Sequence, residues 1–323
     1  MQKIVTLSDP SLFTDRCLVG GKWIAAEKGA AIEVANPATG EVLGGVPNCG
    51  RKETDEAIAA ATHAFGPWSR RTAADRAALL ERWHDLVLQS VEDLALLMTL
   101  EQGKPLGESR AEVSYGASFI KWFAEEARRV HGELIPAPSA NVRILVQKQP
   151  IGVVAAITPW NFPNAMITRK AAPALAAGCT VVIKPSELTP FSALALGVLA
   201  ERAGIPAGVI NIVTGDAAEI GVALTESPTV RKLTFTGSTP VGKLLMAQSA
   251  STVKRVGLEL GATRPSSYST TPSPVSWPAS FATPDRPAGL SRDRGDQAAF
   301  ANCGHGGEIG LNTRPSPAPN MPL

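Results

Sequence analysis

The sequence predicts an α/β fold: a doubly wound parallel sheet, preceded by a helical N-terminal part and followed by a disordered or irregular tail. Two observations predict it. Between residues 151 and 261, five apolar runs rich in Val, Ile, Leu and Thr alternate with helix-like stretches. Such an alternation is typical of a parallel sheet that is covered by helices on both faces. From residue 262 onward the chain turns to Ser, Thr, Pro and Arg without pattern.

The composition is typical of a soluble globular protein and points to no charged partner. Hydrophobic residues make up 44% of the 323 residues, charged residues 19%, and the net charge is only +2. Neither a basic run for nucleic acid nor an apolar run of membrane-spanning length is present, and the N-terminus lacks the apolar core of a secretory signal. The four cysteines are scattered, without metal-ligand or CxxC spacing. We therefore expect free thiols in a reducing compartment, the cytoplasm.

The elements before residue 150 follow from periodicity. Short apolar runs in 18–47, broken by glycine pairs and an Asn-Pro-Ala-Thr-Gly segment, predict hairpins. Apolar residues at steps of three and four predict an amphipathic helix over 108–130. An extended segment is predicted for 142–150.

The five predicted strands of the parallel sheet come next. They cover residues 152–157, 180–184, 209–213, 231–236 and 253–260. Ligands of such sheets bind at the carboxyl ends of the strands. The candidate functional residues are therefore those at or just after each strand end.

Trp160 and Asn161 follow the first strand, in a loop that Pro159 and Pro163 stiffen. The Asn side-chain amide can donate a hydrogen bond to an oxyanion as it forms; the alternative is that Asn161 only caps a turn. Arg169 follows on an otherwise apolar helix. It is either a surface residue whose stem lies along apolar neighbours or an anion site for a substrate carboxylate.

Two further strand ends suit a nucleotide. Lys184 and Glu187, after the second strand, could bind the hydroxyls and phosphate of a ribose, or could form a solvated loop. Gly237 and Ser238 end the fourth strand and open a helix that contains Gly242. The N–H groups at such a helix start favour a phosphate, although the GxGxxG fingerprint is absent.

Glu259 ends the last predicted strand, between Leu258 and Leu260. The two leucines should desolvate the carboxylate, so we expect its pKa to rise toward that of a useful general base. The alternative is a structural strand-end Glu that pairs with an Arg.

Taken together and in this order, the segments TPWNFP, IKPSE, FTGST and LELG resemble the aldehyde dehydrogenase superfamily. The resemblance covers residues from about 10 to 261. The longer stretches 98–133 and 159–196 are most similar to the succinate-semialdehyde dehydrogenases of that superfamily. The resemblance implies the fold of the family's cofactor-binding domain and NAD or NADP as the cofactor.

The resemblance also implies a reaction and a role for each matched residue. A cysteine thiolate attacks the aldehyde, a hydride passes to NAD or NADP, and water hydrolyses the resulting thioester. Asn161 matches the residue that holds the oxyanion, Glu259 the general base, and Arg169 an arginine that binds the carboxylate of succinate semialdehyde. The family's cofactor contacts are matched by Trp160, Lys184, Ser186, Glu187, Gly237, Ser238 and Leu260. Glu187 favours NAD, and the nearby Lys184 can tolerate NADP.

The segment 262–323 departs from the family pattern. Family members continue with a sequence similar to NAPFIVFDDA and later with KFRNAGQTC, whose Cys is the nucleophile. Neither segment is present in this chain as written. In a frame shifted by one base, residues 261–272 can decode as GNAPFIVFDDA and residues 279–288 as KFRNAGQTC. We infer a one-base frameshift near Gly261, which leaves Cys303 in the wrong context for the nucleophile.

The predicted domains are an N-terminal part of the cofactor domain (1–137), a bridging strand segment (138–150), the NAD(P)-binding core (151–261) and a frameshifted tail (262–323). The family is homo-oligomeric, and we expect this chain to lack the C-terminal strand used for that assembly. A small aldehyde is the expected ligand, with no metal, nucleic acid or membrane. Two functions stay open: an aldehyde dehydrogenase that is inactive as written, or a catalytically dead remnant that binds a nucleotide or a partner.

Overall fold

In the computed structural model, which describes residues 6–27 and 29–261, the N-terminal region contains two antiparallel hairpins. Their strands are β1 (Cys17–Val19), β2 (Lys22–Ile24), β3 (Ala31–Ala35) and β4 (Val42–Pro47). Gly20 and Gly21 turn the first hairpin with φ values of +60° and +76°, which glycine adopts without steric cost. The hairpins predicted from the glycine pair Gly20-Gly21 and from the Asn-Pro-Ala-Thr-Gly segment (36–40) are confirmed.

Four helices follow: α1 (Arg51–Ser69), α2 (Ala73–Gln89), α3 (Val91–Gln102) and α4 (Leu106–Glu126). The Thr72 side chain caps α2 by accepting a hydrogen bond from the Asp75 N–H, and Gly103 ends α3 at a φ of +89°. Helix α4 and the short 3-10 turn after it confirm the amphipathic helix predicted for 108–130. The buried residues of α4 include Val113, Gly116, Ala117, Ile120 and Ala124.

A small hairpin leads from these helices to the core. Strand β5 (Glu133–Ile135) pairs with β6 (Ile144–Val146), and both are largely exposed. Strand β6 lies inside the segment 142–150 that was predicted to be extended.

The core alternates strands and helices in the predicted order. Its elements are β7 (Val153–Ile157), α5 (Ala165–Ala176), β8 (Thr180–Lys184), α6 (Pro190–Arg202), β9 (Ile210–Ile212), α7 (Ala217–Glu226), β10 (Val230–Gly237), α8 (Thr239–Ser249) and β11 (Arg255–Leu260). The strand order is β11-β10-β7-β8-β9-β1-β2, parallel from β11 to β9. Strand β1 adds antiparallel to β9. The sequence predicted the hairpin but not its addition to this sheet.

Alternate residues of β8 point into two different hydrophobic clusters, because side chains of a strand alternate between its faces. Val181 and Ile183 join Leu175 of α5 and other apolar residues of α2 to α6. Val182 joins a second cluster with Ile58 of α1 and residues of α7 and α8. Helices therefore cover both faces of the sheet, which confirms the doubly wound architecture.

The predictions of a disordered or irregular tail, of a frameshift over 262–323 and of a non-catalytic context for Cys303 lie outside the described residues. In the part of the chain that the structure describes, every helix is too short or too polar to cross a membrane. Over the same residues, no group of three or more His, Cys, Asp or Glu side chains could hold a metal ion.

Candidate active site

The carboxyl ends of four parallel strands meet at one edge of the sheet. Ile157 pairs with Lys184 across β7 and β8, and Gly237 pairs with Leu260 across β10 and β11. Trp160 stands three residues after the end of β7. The structure thus places Trp160, Lys184 and Gly237 at the same edge, as their positions at strand ends predict.

Glu259 bridges two adjacent cations of α5 at this edge. Its Oε1 lies 3.2 Å from Nη2 of Arg169, and its Oε2 lies 3.1 Å from Nζ of Lys170. The Thr236 hydroxyl, on the neighbouring strand β10, donates a hydrogen bond of 2.5 Å to the same Oε2. The Lys170 side chain is buried, whereas 43% of the Glu259 side chain is exposed.

The expectation that the pKa of Glu259 is raised was wrong. Burial does raise the pKa of this carboxyl, but Lys170, the Thr236 hydroxyl and Arg169 favour its ionised form and together hold the pKa below its usual value. Glu259 is the strand-end carboxylate paired with an Arg that was considered as the alternative. It is therefore ionised at neutral pH.

Arg169 is held from two sides. Its guanidinium pairs with Glu259, and its Cζ lies 5.4 Å from the centre of the Phe119 ring on α4, a distance typical of a cation–π contact. Only 24% of its side chain is exposed. It is thus not a solvated surface arginine, and an anionic ligand would compete with Glu259 for the same guanidinium.

The side-chain oxygen of Asn161 is buried at this edge of the sheet, although the residue as a whole is only partly buried. Among the described residues, its Oδ1 has no hydrogen-bond partner, and an unpaired buried polar atom is costly. This oxygen therefore caps no turn in the described structure. Rotation of the amide by half a turn would present the NH2 group at this position. Over the described residues, this amide oxygen thus leaves its hydrogen-bonding capacity unused.

Two residues that the sequence reasoning missed hold the loop of Asn161. Oε1 of Glu112 accepts hydrogen bonds from the backbone N–H groups of Asn164 (3.0 Å) and Ala165 (3.2 Å), at the start of α5. Its Oε2 forms an ion pair with Nζ of Lys104. Nζ of Lys104 in turn donates a hydrogen bond of 3.0 Å to the Asn161 carbonyl oxygen. A charged residue on the buried face of an amphipathic helix was the signal that could have revealed Glu112.

Helix α4 approaches this loop closely because Gly116 has no side chain. A Cβ atom at position 116 would lie 2.2 Å from Oδ1 of Asn164 and 3.3 Å from Cα of Ala165. Asn164 is itself fully buried, so it has little room to move away. Gly116 and Glu112 lie one helical turn apart, and both act on the start of α5.

The residues predicted to bind a nucleotide at the end of β8 interact with one another. Lys184 is only 4% exposed, and its Nζ donates a hydrogen bond of 3.0 Å to Oε2 of Glu187. Oγ of Ser186 accepts a hydrogen bond from the Leu188 N–H. Lys184 therefore does not belong to a solvated loop, whereas 48% of the Glu187 side chain is exposed to solvent. A carboxylate beside an ammonium group suits the adjacent hydroxyls of a ribose.

The start of α8 lies against the ends of β10 and β11. A Cβ atom at position 237 would lie 2.3 Å from the Phe235 ring, and one at position 242 would lie 2.4 Å from Cδ2 of Leu260. Ser238 precedes the helix, and its side chain makes no capping hydrogen bond. Over the described residues, the Ser238 side chain thus leaves the N–H groups of this helix start uncapped, and a phosphate fits them chemically.

Comparison with protein families gives one match over most of the chain, the model of the aldehyde dehydrogenase family, which matches residues 23–267. The chain is similar to the 3-sulfolactaldehyde dehydrogenase of Pseudomonas putida, with 58% identity over 262 residues, 81% of this chain and 54% of that protein. It is also 58% identical to the NADP(+) succinate-semialdehyde dehydrogenase of Escherichia coli K12, over 80% of this chain and 54% of that protein. The chain therefore spans about half the length of the curated relatives it matches.

Solved structures give the same result. The succinate-semialdehyde dehydrogenase of Burkholderia pseudomallei matches with a TM-score of 0.79 and 59% identity, over 79% of this chain and 53% of that one. The betaine aldehyde dehydrogenase of Staphylococcus aureus in complex with NAD+ matches with a TM-score of 0.76 and 35% identity, over 77% of this chain and 50% of that one.

Proposed function

Since the chain belongs to the aldehyde dehydrogenase family, we propose that it is the cofactor-binding part of a cytoplasmic enzyme that oxidises succinate semialdehyde to succinate with NAD or NADP. The observation that carries the proposal is the ion pair of Arg169 with Glu259 at the carboxyl edge of the sheet, where Lys184 and Gly237 end their strands and Asn161 follows β7. The three free thiols of the described part fit a reducing compartment.

The relatives support an anionic substrate. Their names specify 3-sulfolactaldehyde, glutarate semialdehyde and succinate semialdehyde. Each of these compounds carries an acidic group besides the aldehyde. Arg169 offers a guanidinium for such a group, and a charge-assisted pair with it would fix the orientation of the aldehyde.

Each residue of the site would then have a defined task. The Asn161 amide would donate a hydrogen bond to the aldehyde oxygen as it becomes negative. Glu259, already ionised, would accept a proton from a thiol or from water. A substrate anion that takes Arg169 would remove one of the cations that lower the pKa of Glu259, so substrate binding would make Glu259 a stronger base.

The cofactor would occupy the same edge. Lys184 and Glu187 would bind ribose hydroxyls, and the start of α8 after Gly237 and Ser238 would bind a phosphate. Trp160, Ser186 and Leu260 complete the proposed contacts. When bound, NAD or NADP supplies the acceptor for the hydride. One relative is named for NADP and one neighbour contains NAD+, so either dinucleotide is a candidate.

Nucleotide binding is the first test, and it uses the full chain. We expect isothermal titration calorimetry to detect NAD+ or NADP+ binding. Glu187→Gln should weaken the binding of NAD+ more than that of NADP+, because a ribose with two hydroxyls can donate to the carboxylate. Glu41→Gln, in the exposed turn before β4, is the matched control and should bind as the wild type does. A folded chain that binds neither dinucleotide would contradict the proposal.

A catalytically dead nucleotide-binding remnant is the second candidate function. The observation that favours it is the missing KFRNAGQTC segment with its nucleophile. We expect no reduction of NAD+ or NADP+ by succinate semialdehyde with the chain as written. Turnover that Cys303→Ala abolishes would contradict this expectation.

Resequencing of the DNA separates the two candidates, because an intact frame restores the enzyme whereas a confirmed deletion leaves the remnant. If one base was lost near codon 261, the nucleotides of codons 279–288 must spell KFRNAGQTC in the shifted frame. An insertion of one base that restores this text should then restore turnover. Any other nucleotide sequence at these codons rules out the frameshift.

A further inference from the structure

Two cysteines that are distant in sequence lie in direct contact in the fold. Cys17 belongs to β1, and Cys49 lies just before α1, 32 positions later. Their Sγ atoms are 3.7 Å apart, and both residues are completely buried. The candidate active site involves neither of them.

The hydrogen bonds around the pair define which thiol donates. The Thr214 N–H donates to Sγ of Cys17 at 3.2 Å, and the Thr214 hydroxyl donates to the Pro47 carbonyl oxygen at 2.7 Å. Because that hydroxyl proton is used, Oγ1 of Thr214 can only accept from the Cys17 thiol, 3.2 Å away. The Cys49 thiol must then be the donor in the contact between the two sulfur atoms.

This arrangement favours a thiolate at Cys17. The hydrogen bond from Cys49 lowers the pKa of Cys17 most strongly, burial opposes it, and the Thr214 N–H donates to the same sulfur and adds to the lowering. The same contact, together with burial, raises the pKa of Cys49. Cys17 is therefore the better nucleophile of the two, since the thiolate is the reactive form.

We propose that Cys17 and Cys49 form a covalent modification site, at which a hydroperoxide oxidises the pair to an internal disulfide. The sulfur atoms need only approach from 3.7 Å to the disulfide bond length of about 2.0 Å. The bond would tie the edge hairpin β1–β2 to the segment that precedes α1.

The chemistry balances in two steps. Cys17 sulfur attacks one peroxide oxygen, the O–O bond breaks, and the other oxygen leaves as water with the Cys17 proton, which gives a sulfenic acid. Cys49 sulfur then attacks the Cys17 sulfur, the S–O bond breaks, and the hydroxyl leaves as water with the Cys49 proton. Two thiols are oxidised to one disulfide, and one hydrogen peroxide is reduced to two waters.

Access depends on the edge of the sheet. Strand β2 is the outermost strand and is partly exposed, so local opening of the β1–β2 hairpin can admit a small oxidant. Cys179 is buried to nearly the same degree, at 1% exposed, in another cluster. It is therefore the matched thiol with which to compare reactivity.

The test is peptide mapping of the full chain after hydrogen peroxide treatment without reductant. Trypsin should release residues 17–22 joined to residues 29–51, lighter by two hydrogen atoms than the separate peptides, and reduction should part them. Cys179→Ala should keep this product, and Cys49→Ala should lose it. If both peptides stay unlinked, or if Cys17 pairs equally with Cys303, the proposal is wrong.

A second measurement keeps the test valid if the variant lacks normal stability. In Cys49→Ala, the first step should still occur, so a 1,3-diketone probe should label the sulfenic acid on peptide 17–22. Circular dichroism verifies that this variant is folded. Labelling only after unfolding in urea would also overturn the proposal, because the pair would then be inert in the native fold.

Discussion

Oε2 of Glu259 lies 3.1 Å from Nζ of Lys170, so a half-exposed carboxylate at the end of β11 pairs with an almost fully buried lysine of α5. We predict that Lys170→Met raises the pKa of Glu259. Burial raises this pKa, and the substitution removes one of the cations that lower it. Carboxyl-carbon NMR titration would measure the shift. Lys121→Met removes an exposed ion pair on α4 and is the control; a pKa unchanged in Lys170→Met would refute the prediction.

The same pair predicts a pH dependence of stability. The folded-state pKa of Glu259 lies below its ordinary value of 4.5, so its stabilising effect is complete above about pH 4.5 and is lost as the pH falls through the folded-state pKa. Glu259→Gln should remove this contribution. Urea unfolding of both proteins should show a difference at pH 7 that disappears in acid.

Glu101 should give the opposite pH dependence. It is fully buried at the end of α3, and its carboxyl oxygens accept hydrogen bonds of 2.8 Å from the Phe191 and Ser192 N–H groups. Burial raises its pKa to about 8 from 4.5. Between these pH values the folded chain holds a proton that the unfolded chain has released.

The free energy of unfolding should therefore fall as the pH rises through this window, by up to ~1.4 kcal/mol per pH unit. Glu101→Gln should abolish the decrease, since an amide does not titrate. Denaturation at intervals from pH 5 to pH 8.5 measures this dependence. If the unfolding free energies of wild type and Glu101→Gln change in parallel with pH, Glu101 is ionised in the folded chain and the prediction is wrong.

The Lys104–Glu112 pair should be essential for the Asn161 loop. Glu112→Ala removes the ion-pair partner of Lys104 and leaves two N–H groups at the start of α5 without their acceptor, which should cost about 3–5 kcal/mol of unfolding free energy. Glu112→Gln keeps an acceptor for the N–H groups and should cost less. Chemical denaturation measures both.

The matched control for this pair is Glu92→Ala, which breaks an exposed ion pair with Arg110 of the same helix α4. We expect its unfolding midpoint to stay at the wild-type value, since exposed pairs contribute little. Equal losses in Glu92→Ala and Glu112→Ala would mean that burial of the Lys104–Glu112 pair is irrelevant.

Gly116→Ala should destabilise the chain by about 1–3 kcal/mol through overpacking, because the new methyl would meet Asn164 and Ala165. Gly107→Ala is the control in the same helix, with no atom within 4 Å of its added Cβ. It should be neutral or stabilising by up to ~1 kcal/mol. Thermal unfolding of the two variants measures the contrast, and equal melting temperatures would disprove the close packing.

The strands could be predicted because each depends on local sequence. The apolar run 180–184 is the strand β8 itself, and the carboxyl-end rule then brings Trp160, Lys184 and Gly237 to one edge. These predictions need only the order of elements and the parallel direction of the sheet.

The one prediction that was wrong and the features that were not predicted all depend on contacts between segments distant in sequence. The pKa of Glu259 is lowered by Lys170, 89 positions earlier, so its two flanking leucines gave the wrong direction. Lys104 approaches Asn161 across 57 positions. The addition of β1 to β9 was missed for the same reason. Hydrophobic periodicity carries no information about such pairings.

The seating of β1 against β9 has a consequence for synthesis on the ribosome. Cys17 of β1 contacts Thr214, just after β9, across 197 positions. At a translation rate of about 5–20 residues per second, roughly 10–40 seconds pass between the synthesis of the β1–β2 hairpin and that of β9, with which β1 pairs. During that time the apolar side chains of Cys17, Leu18 and Val19, all buried in the finished fold, have no sheet to cover them. The nascent chain therefore presents an open, apolar strand edge of the kind that chaperones bind.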